Sequence, residues 1–428
     1  MASAFAHTET PGLREAATQV VKRLQEHGHV AYFAGGCVRD QIMGRVPTDY
    51  DVATDAPPQR VIELFRIAHR VGEAFGVVVT RISGHWIEVA TFRTESGYAD
   101  GRHPDQVAFT DAEHDARRRD FTINGLFYDP LAERVIDYVQ GQQDIEARII
   151  RAIGDPQQRF DEDYLRMLRA VRFAARLEFT IEPATAAAVR DHAARLDRIS
   201  RERIGIEVAL MLDHPHRARA AQLMQHLLLD APTLCEPHSE RQPLCVAALP
   251  PETPAVAALA AWALDRHLQP HRQHNHPRLL AGVEALPVAA LVRRWRKALV
   301  LSNDDRDALR HLLQRLPTVL RWPDLDLAAK KRLLATQHWP HLAELAHATL
   351  SLVDHPSFDV HQFEREVAAL QQQEVAPPPL VTGDDLIAAG LKPGPKFKTI
   401  LEQVYDAQLR GEVTTHEQAL HEALTHHS

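Results

Sequence analysis

Asp49 and Asp51, two carboxylates one residue apart in the stretch AYFAGGCVRDQIMGRVPTDYD (31–51), carry the densest chemistry in this chain. On a strand, successive side chains alternate between faces, so the two acids share one face and Tyr50 takes the other. Carboxylates so placed can ligate two Mg2+ ions about 3.5–4 Å apart and clamp the attacking and leaving oxygens of an in-line displacement. Just upstream, Gly35 and Gly36 follow an apolar strand expected over 30–34. Glycines there let phosphate oxygens approach the backbone amides. A helix expected over 37–43 would aim its N-terminus at that phosphate, and Arg39 adds a fork-shaped donor. The ordered series is the apparatus for holding a nucleoside triphosphate on metal ions.

Three more groups extend this chemistry. Glu88, on a strand expected over 86–92, is placed to stand as a third carboxylate; the plain alternative is a solvent-facing glutamate. Arg118, Arg119 and Asp120 precede the apolar stretch 121–127. The two cations can meet triphosphate oxygens, and Asp120 can accept from a ribose hydroxyl, the contact that separates ribo- from deoxyribonucleotides. Further on, Glu162-Asp163-x-x-Arg166-x-x-Arg169-x-x-Arg172 repeats every third residue. At about 100° per residue, Asp163, Arg166 and Arg169 fall within an arc of about 120° on one helix, and Arg172 drifts to the other side. An acceptor beside a donor suits the edges of cytosine and adenine and leaves uracil and guanine with unpaired groups. The alternative is an i,i+3 surface ion pair. Arg203 and Glu207, an i,i+4 pair, read as a helix brace.

The elements that must position these groups divide the chain unequally. Helices are expected over 11–28 and 57–67, and a hairpin over 75–82 and 86–92 around Ser83-Gly84. With the strands above they make an α/β head. Beyond residue 161 helical periodicity dominates, with breaks expected at Pro183, Pro215, Pro232, 250–254, Pro277 and Pro317. The stretch QQQEVAPPP (371–379) reads as a linker, because consecutive prolines favour an extended spacer.

Composition sets the outer limits. A chain of 428 residues exceeds one core, so two to four domains are expected. The net charge of −8 gives no whole-protein attraction to nucleic acid, yet between Arg148 and Arg219 fourteen arginines and no lysines meet eleven acids, leaving +3. Cys37, Cys235 and Cys245 make no framework of bridges or metal ligands, which suits a reducing cytoplasm. The N-terminal residues do not read as a secretory signal, and the longest apolar run, 254–264, is too short to span a bilayer. His271, His274 and His276 read as loop histidines. The lysines of GLKPGPKFK (390–398) can grip an RNA backbone or simply be solvated.

GGCVRD (35–40), DYD (49–51), RRDFTING (118–125) and EDYLRMLRAVRF (162–173) occur in the order and spacing of one family. In these motifs the chain resembles the class II CCA-adding tRNA nucleotidyltransferase and bacterial poly(A) polymerase family. That resemblance implies an α+β fold: a polymerase β-like nucleotidyltransferase head (1–146), then an all-helical neck (147–220), body (221–375) and tail (376–428). It implies Mg2+ on Asp49 and Asp51, with Glu88 beside them, and transfer of C and A from CTP and ATP to the 3′ end of tRNA. Asp163 and Arg166 would read the base, while Gly35, Gly36, Arg39, Arg119, Asp120, Arg169 and Arg172 would hold the nucleotide. The loop TESGYADGRHP (94–104) resembles the flexible loop of complete CCA-adding and A-adding enzymes. Alternatives within the family are A-only or CC-only addition and poly(A) synthesis. Poly(A) polymerases usually carry a basic segment where this chain reads VGEAFGVVVT (71–80).

Overall fold

Apolar alternation builds the head around one sheet. In the computed structural model, residues 12–70, 76–96, 106–268, 276–352, 358–394 and 396–425 are described. Helix α1 (Leu13–Glu26) buries Leu13, Ala16, Ala17, Val20, Val21 and Leu24 along one face. Then come β1 (Ala31–Ala34), α2 (Gly36–Ile42), β2 (Asp51–Thr54), α3 (Pro58–Leu64) and β3 (Ala68–Arg70). They are followed by β4 (Val77–Ile82), β5 (His85–Thr91), β6 (Arg93–Ser96), β7 (Gln106–Phe109), α4 (Ala112–Arg117), β8 (Leu126–Asp129) and β9 (Arg134–Asp137). Seven strands form one sheet in the order β3-β4-β5-β2-β1-β8-β9, parallel between β2 and β5 and antiparallel elsewhere.

Two turns locate the chemistry. Between β1 and α2, Gly35 adopts φ 72°, a left-handed value that favours glycine. Its amide donates to the Leu126 carbonyl at 3.0 Å. The β4–β5 hairpin turns through Ser83 (φ 50°) and Gly84 (φ 89°), the paired positive values of a tight hairpin turn. The expected strand over 49–54 starts only at Asp51. Asp49 precedes it just after a bend at Thr48, although the alternation survives because Tyr50 is buried edge-on against Phe33.

Past β9 the head closes with α5 (Gly141–Ala147), and α6 (Pro156–Glu162) leads to α7 (Leu165–Leu177). The single helix expected through Asp163, Arg166 and Arg169 is broken. Asp163 is extended (φ −152°, ψ 104°) and its carboxylate accepts from the Leu165 amide at 3.0 Å, so it stands just ahead of α7 and turns the chain into it instead of riding on it. A short parallel ladder, Ile149–Ile150 against Thr180–Ile181, interrupts the otherwise helical stretch. Then follow α8 (Pro183–His192) and α9 (Arg201–Leu212).

The chain divides into two compact units, Met1–Met211 with Arg219–Glu240 and Ala298–Val300, and Leu212–Ala218 with Arg241–Lys297 and Leu301–Ser428. In the first unit, α9 passes so close to the backbone at Leu299 that a Cβ on Gly205 would lie 2.0 Å from its carbonyl oxygen. Gly205→Ala is therefore expected to destabilise this unit by about 1–3 kcal/mol, read as a lower denaturant midpoint at unchanged slope.

The second unit is helical among its described residues. Its long helix Asn303–Leu320 runs through Pro317 rather than breaking there, held by the buried apolar face of Leu313, Leu316, Val319 and Leu320. Pro277 instead stands in the first turn of His276–Glu284, where proline is tolerated, as Pro232 does in Asp230–Leu234 of the first unit. The last helices enclose a cluster of their own, with Val381, Leu386, Ile400, Val404 and Ala419 buried together.

Asp265 in the second unit accepts from the Cys245 and Val246 amides at 2.7 and 3.0 Å. Burial pushes its carboxyl up to about 7 from the usual 3.8, against those donors. A raised acid favours the folded state fully below the unfolded value and loses that contribution as pH rises through the folded one, by up to about 1.4 kcal/mol per unit. Denaturation at pH 5 and pH 8 is expected to show wild type losing stability relative to Asp265→Asn over that interval.

Among the described residues no helix is long and apolar enough to cross a membrane. Residues 97–105, which include most of the loop over 94–104, lie outside the described residues, as do 71–75, His271, His274 and Pro395. The strands β6 and β7 that flank that loop pair antiparallel, Thr94 opposite Ala108.

Candidate active site

Gly35, Gly36, Arg39, Asp49, Asp51, Arg119, Asp120, Asp163, Arg166, Arg169 and Arg172 all line one cavity of about 610 Å3 in the first unit. Residues from four separate stretches of sequence thus meet in one place. Glu88 is not on the cavity wall, but the pairing of Val52 with Val89 continues back to set Asp51 beside it on the neighbouring strand. Enclosure by the surrounding walls, then the charges of Asp49 and Glu88, push the Asp51 carboxyl up to about 7 against the pull of Arg119. Among the described residues these acids do not form a ready-made three-ligand cage. Two carboxylates open to a cavity fit a divalent ion whose shell is completed by phosphate and water.

The cations are held by buried anions. Asp115, on α4 and 2% exposed, pairs with Arg118 at 2.7 Å and Arg119 at 2.9 Å. Arg119 also lies over the Phe127 ring and crowds the glycine turn, where a Cβ on Gly35 would stand 3.1 Å from its Nη1. Arg39 donates to Asp40 and, at 2.7 Å, to the Asn124 side chain. Asn124 in turn donates to Asp120, which also accepts from Arg169 Nε at 2.8 Å. Burial would raise Asp120, but Arg169, Asn124 and Arg166 outweigh it and hold the carboxyl down at about 2. The expected acceptor for a ribose hydroxyl is thus already engaged by protein donors and anchors Arg169.

The pair expected to read the base is also arranged differently from expectation. Arg166 donates to Glu162 at 2.5 Å and to the Arg118 carbonyl at 3.2 Å, while Asp163 accepts two bonds from Arg203, at 2.6 and 3.2 Å. Arg203 and Glu207 do not brace one another. Glu207 instead takes Arg172 at 2.7 Å and Arg169 at 3.8 Å. Pairings across 35 to 40 residues satisfied these groups better than their helical neighbours did. Arg39, Arg169 and Arg172 all stack on the Phe173 ring, with guanidinium carbons 5.4, 5.2 and 4.5 Å from its centroid.

Four contributors were not singled out from sequence: Asn124, Asp115, Phe173 and the anchoring role of Glu207. Asp115 stands three and four residues before Arg118 and Arg119, a helical spacing that could have found it. The other pairings are non-local and left no local signal.

Carboxylates at the start of an interior strand of the sheet, a glycine turn and an arginine-lined cavity define a nucleotidyltransferase head. Residues 31–151 match the family described as Poly A polymerase head domain, and residues 178–234 match the probable RNA- and SrmB-binding site of polymerase A. The chain is 34% identical to the CCA-adding enzyme of Geobacillus sp. strain WCH70 over 95% of each chain. It is 32% identical to that of Levilactobacillus brevis over 96% of this chain and 97% of that one. The solved Bacillus stearothermophilus CCA-adding enzyme in complex with CTP superposes with a TM-score of 0.74 at 27% identity, covering 98% of this chain and 99% of that one. The Thermotoga maritima CCA-adding enzyme complexed with tRNA shares the fold at TM-score 0.66 and 18% identity, over 99% of this chain and 97% of that one. The chain belongs to the CCA-adding enzyme family of nucleotidyltransferases, a class that generally needs a divalent metal.

Proposed function

We infer that this protein adds C and A nucleotides from CTP and ATP to the 3′ end of tRNA without a nucleic-acid template. The observation that carries the reading is the meeting of Asp49, Asp51, the glycine turn, Asp163 and Arg166 in one cavity of a chain related end to end to CCA-adding enzymes. The RNA 3′ oxygen attacks the α-phosphate, the bond to the β-phosphate breaks, and pyrophosphate leaves. Asp49 and Asp51 would hold the metal, which we assign as Mg2+, with Glu88 tuning their charge. Bound there, it would supply Lewis-acid neutralisation of the charge that develops on phosphate oxygens. Gly35 and Gly36 admit the phosphates to the backbone, and Arg119 and Arg39 face them. Asp120 sets Arg169 against the nucleotide, with Arg172 behind it. Asp163 offers an acceptor and Arg166 a donor to the base edge.

We assign residues 1–146 to the head, 147–220 to a neck, 221–375 to a body and 376–428 to a tail that grips RNA; the tail's own buried cluster supports the last boundary. The uneven arginine content of 148–219 and the reduced cysteines fit a cytoplasmic protein working on RNA.

The test is single-nucleotide extension of two tRNA transcripts, one lacking CCA and one ending in CC, with CTP, ATP, UTP or GTP and with a chelator arm. Addition that stops at CCA on the first transcript is the expected result. Addition of A to the CC-ended transcript alone would mark a partial enzyme, and long A tails a poly(A) polymerase.

A further inference from the structure

Arg176 and Arg45 stand apart from the other arginines around the cavity. Arg39, Arg119, Arg166, Arg169, Arg172 and Arg203 each commit their guanidinium to a carboxylate. The side chains of Arg176 and Arg45 make no hydrogen bond or ion pair among the described residues. Arg176 is half-buried in the cavity wall, and Arg45 is exposed just beyond α2.

Position on the helix says what such a charge faces. Arg166, Arg169, Phe173 and Arg176 are spaced by three, four and three residues, so they form one stripe along α7. At about 1.5 Å of rise per residue the stripe is about 15 Å long, with the base-facing pair at one end and Arg176 at the other. Arg39, next to the glycine turn, lies over Phe173 and so brings α2 against the Arg176 end. There Arg176 feels Arg39, Arg172 and Arg45 against a single anion, Asp40, which Arg39 already binds. Burial first, and then those three cations, lower the proton affinity of Arg176. Arg39 is matched by Asp40 and Arg172 by Glu207, so the charges of Arg176 and Arg45 are left over and make this an electropositive end that calls for an anion of several charges.

We propose that Arg176, assisted by Arg45, is the clamp for the terminal phosphates of the incoming CTP or ATP and for the pyrophosphate released from it. The proposal rests on the nucleotidyl-transfer reading above. A stripe that begins at the base and passes the arginine anchored by Asp120 ends where the polyphosphate tail of the same nucleotide must lie. A phosphate of the RNA backbone has the same chemistry, and the test separates the two sources.

Calorimetric binding of CTP and of CMP to the intact protein, with no RNA present, reads the clamp directly. Arg176→Ala is expected to weaken CTP by about 10- to 100-fold and to leave CMP unchanged, the loss of one charge-assisted contact to the tail. Arg176→Lys should recover part of it, and Arg45→Ala should show a smaller loss of the same kind. In parallel, KM for tRNA and the salt dependence of tRNA binding are expected to stay at wild-type values. Weaker tRNA binding with unchanged CTP affinity would give the charge to the RNA backbone and overturn the clamp. Equal losses for CTP and CMP would overturn it too, as would no change in either. Should Arg176→Ala not fold, the exposed Arg45→Ala reads the same CTP-against-CMP difference. Wild-type protein that fails to add C in the same preparation would sink the functional reading, whereas active wild type beside an unaffected variant would sink only the clamp.

Discussion

Replacing Asp49 and Asp51 together by alanine is expected to lower nucleotide addition by about 10³-fold or more under single-turnover conditions with saturating CTP. The reason is the local charge balance. Asp51 opens β2 beside the strand bearing Glu88, and Asp49 stands two residues before it, so three carboxylates gather around the end of β2, two of them on the cavity wall. The cation that Asp51 feels is Arg119, already bound to Asp115. Negative charge concentrated this way repels a triphosphate unless a cation lies between them. Removing both acids takes away the ligands while leaving Tyr50 in its buried position against Phe33, so the fold is expected to persist. Circular dichroism and melting close to wild type, with CTP addition lost, is the predicted combination. Activity within tenfold of wild type would sink the assignment of these acids as metal ligands.

Asp163→Ala carries the next largest effect, on selection rather than rate. A site that hydrogen-bonds its substrate rejects an analogue with the inverse pattern by about 10⁴-fold, because buried polar groups are left unpaired. Asp163 is well placed for that role because it is immobilised three times over, by two bonds from Arg203 and one from the Leu165 amide. The alanine variant is expected to bring the ratio of kcat/KM for CTP over UTP down to about 10 or less, mostly by losing CTP. Arg203→Ala keeps the acceptor and frees its aim, so a smaller loss of the same ratio is expected, with Arg203→Lys intermediate. An unchanged ratio in Asp163→Ala would remove base reading from this residue.

How far the sequence could be read depended on how local each cause was. The acid pair, the glycine turn and the hairpin at Ser83-Gly84 rest on short-range rules of alternation and positive φ, and the structure places them within a residue or two of expectation. Asp163 was misplaced on a helix because periodicity assumes continuity, whereas a side chain that bonds a backbone amide two residues on breaks it. The Arg203–Glu207 brace failed for another reason. Spacing of four makes a pair possible, but each partner found a charge from a distant stretch of the chain, and only the folded chain reveals which contact wins. Pro317 shows the limit of single-residue punctuation, since an apolar face on the last turn outweighed a missing amide.

Phe173, with three guanidiniums over its ring, belongs to a cavity whose cations are all arginine, and between Lys22 and Lys297 the chain contains no lysine at all. Reversible acylation, which silences a lysine by neutralising it, therefore has no target in this nucleotide site. Cellular control by that route would have to act on the lysines of the second unit or on Lys22. The same feature makes amine-directed labelling a clean tool: dyes or surface tethers attached through lysine leave every cation of the cavity chemically untouched.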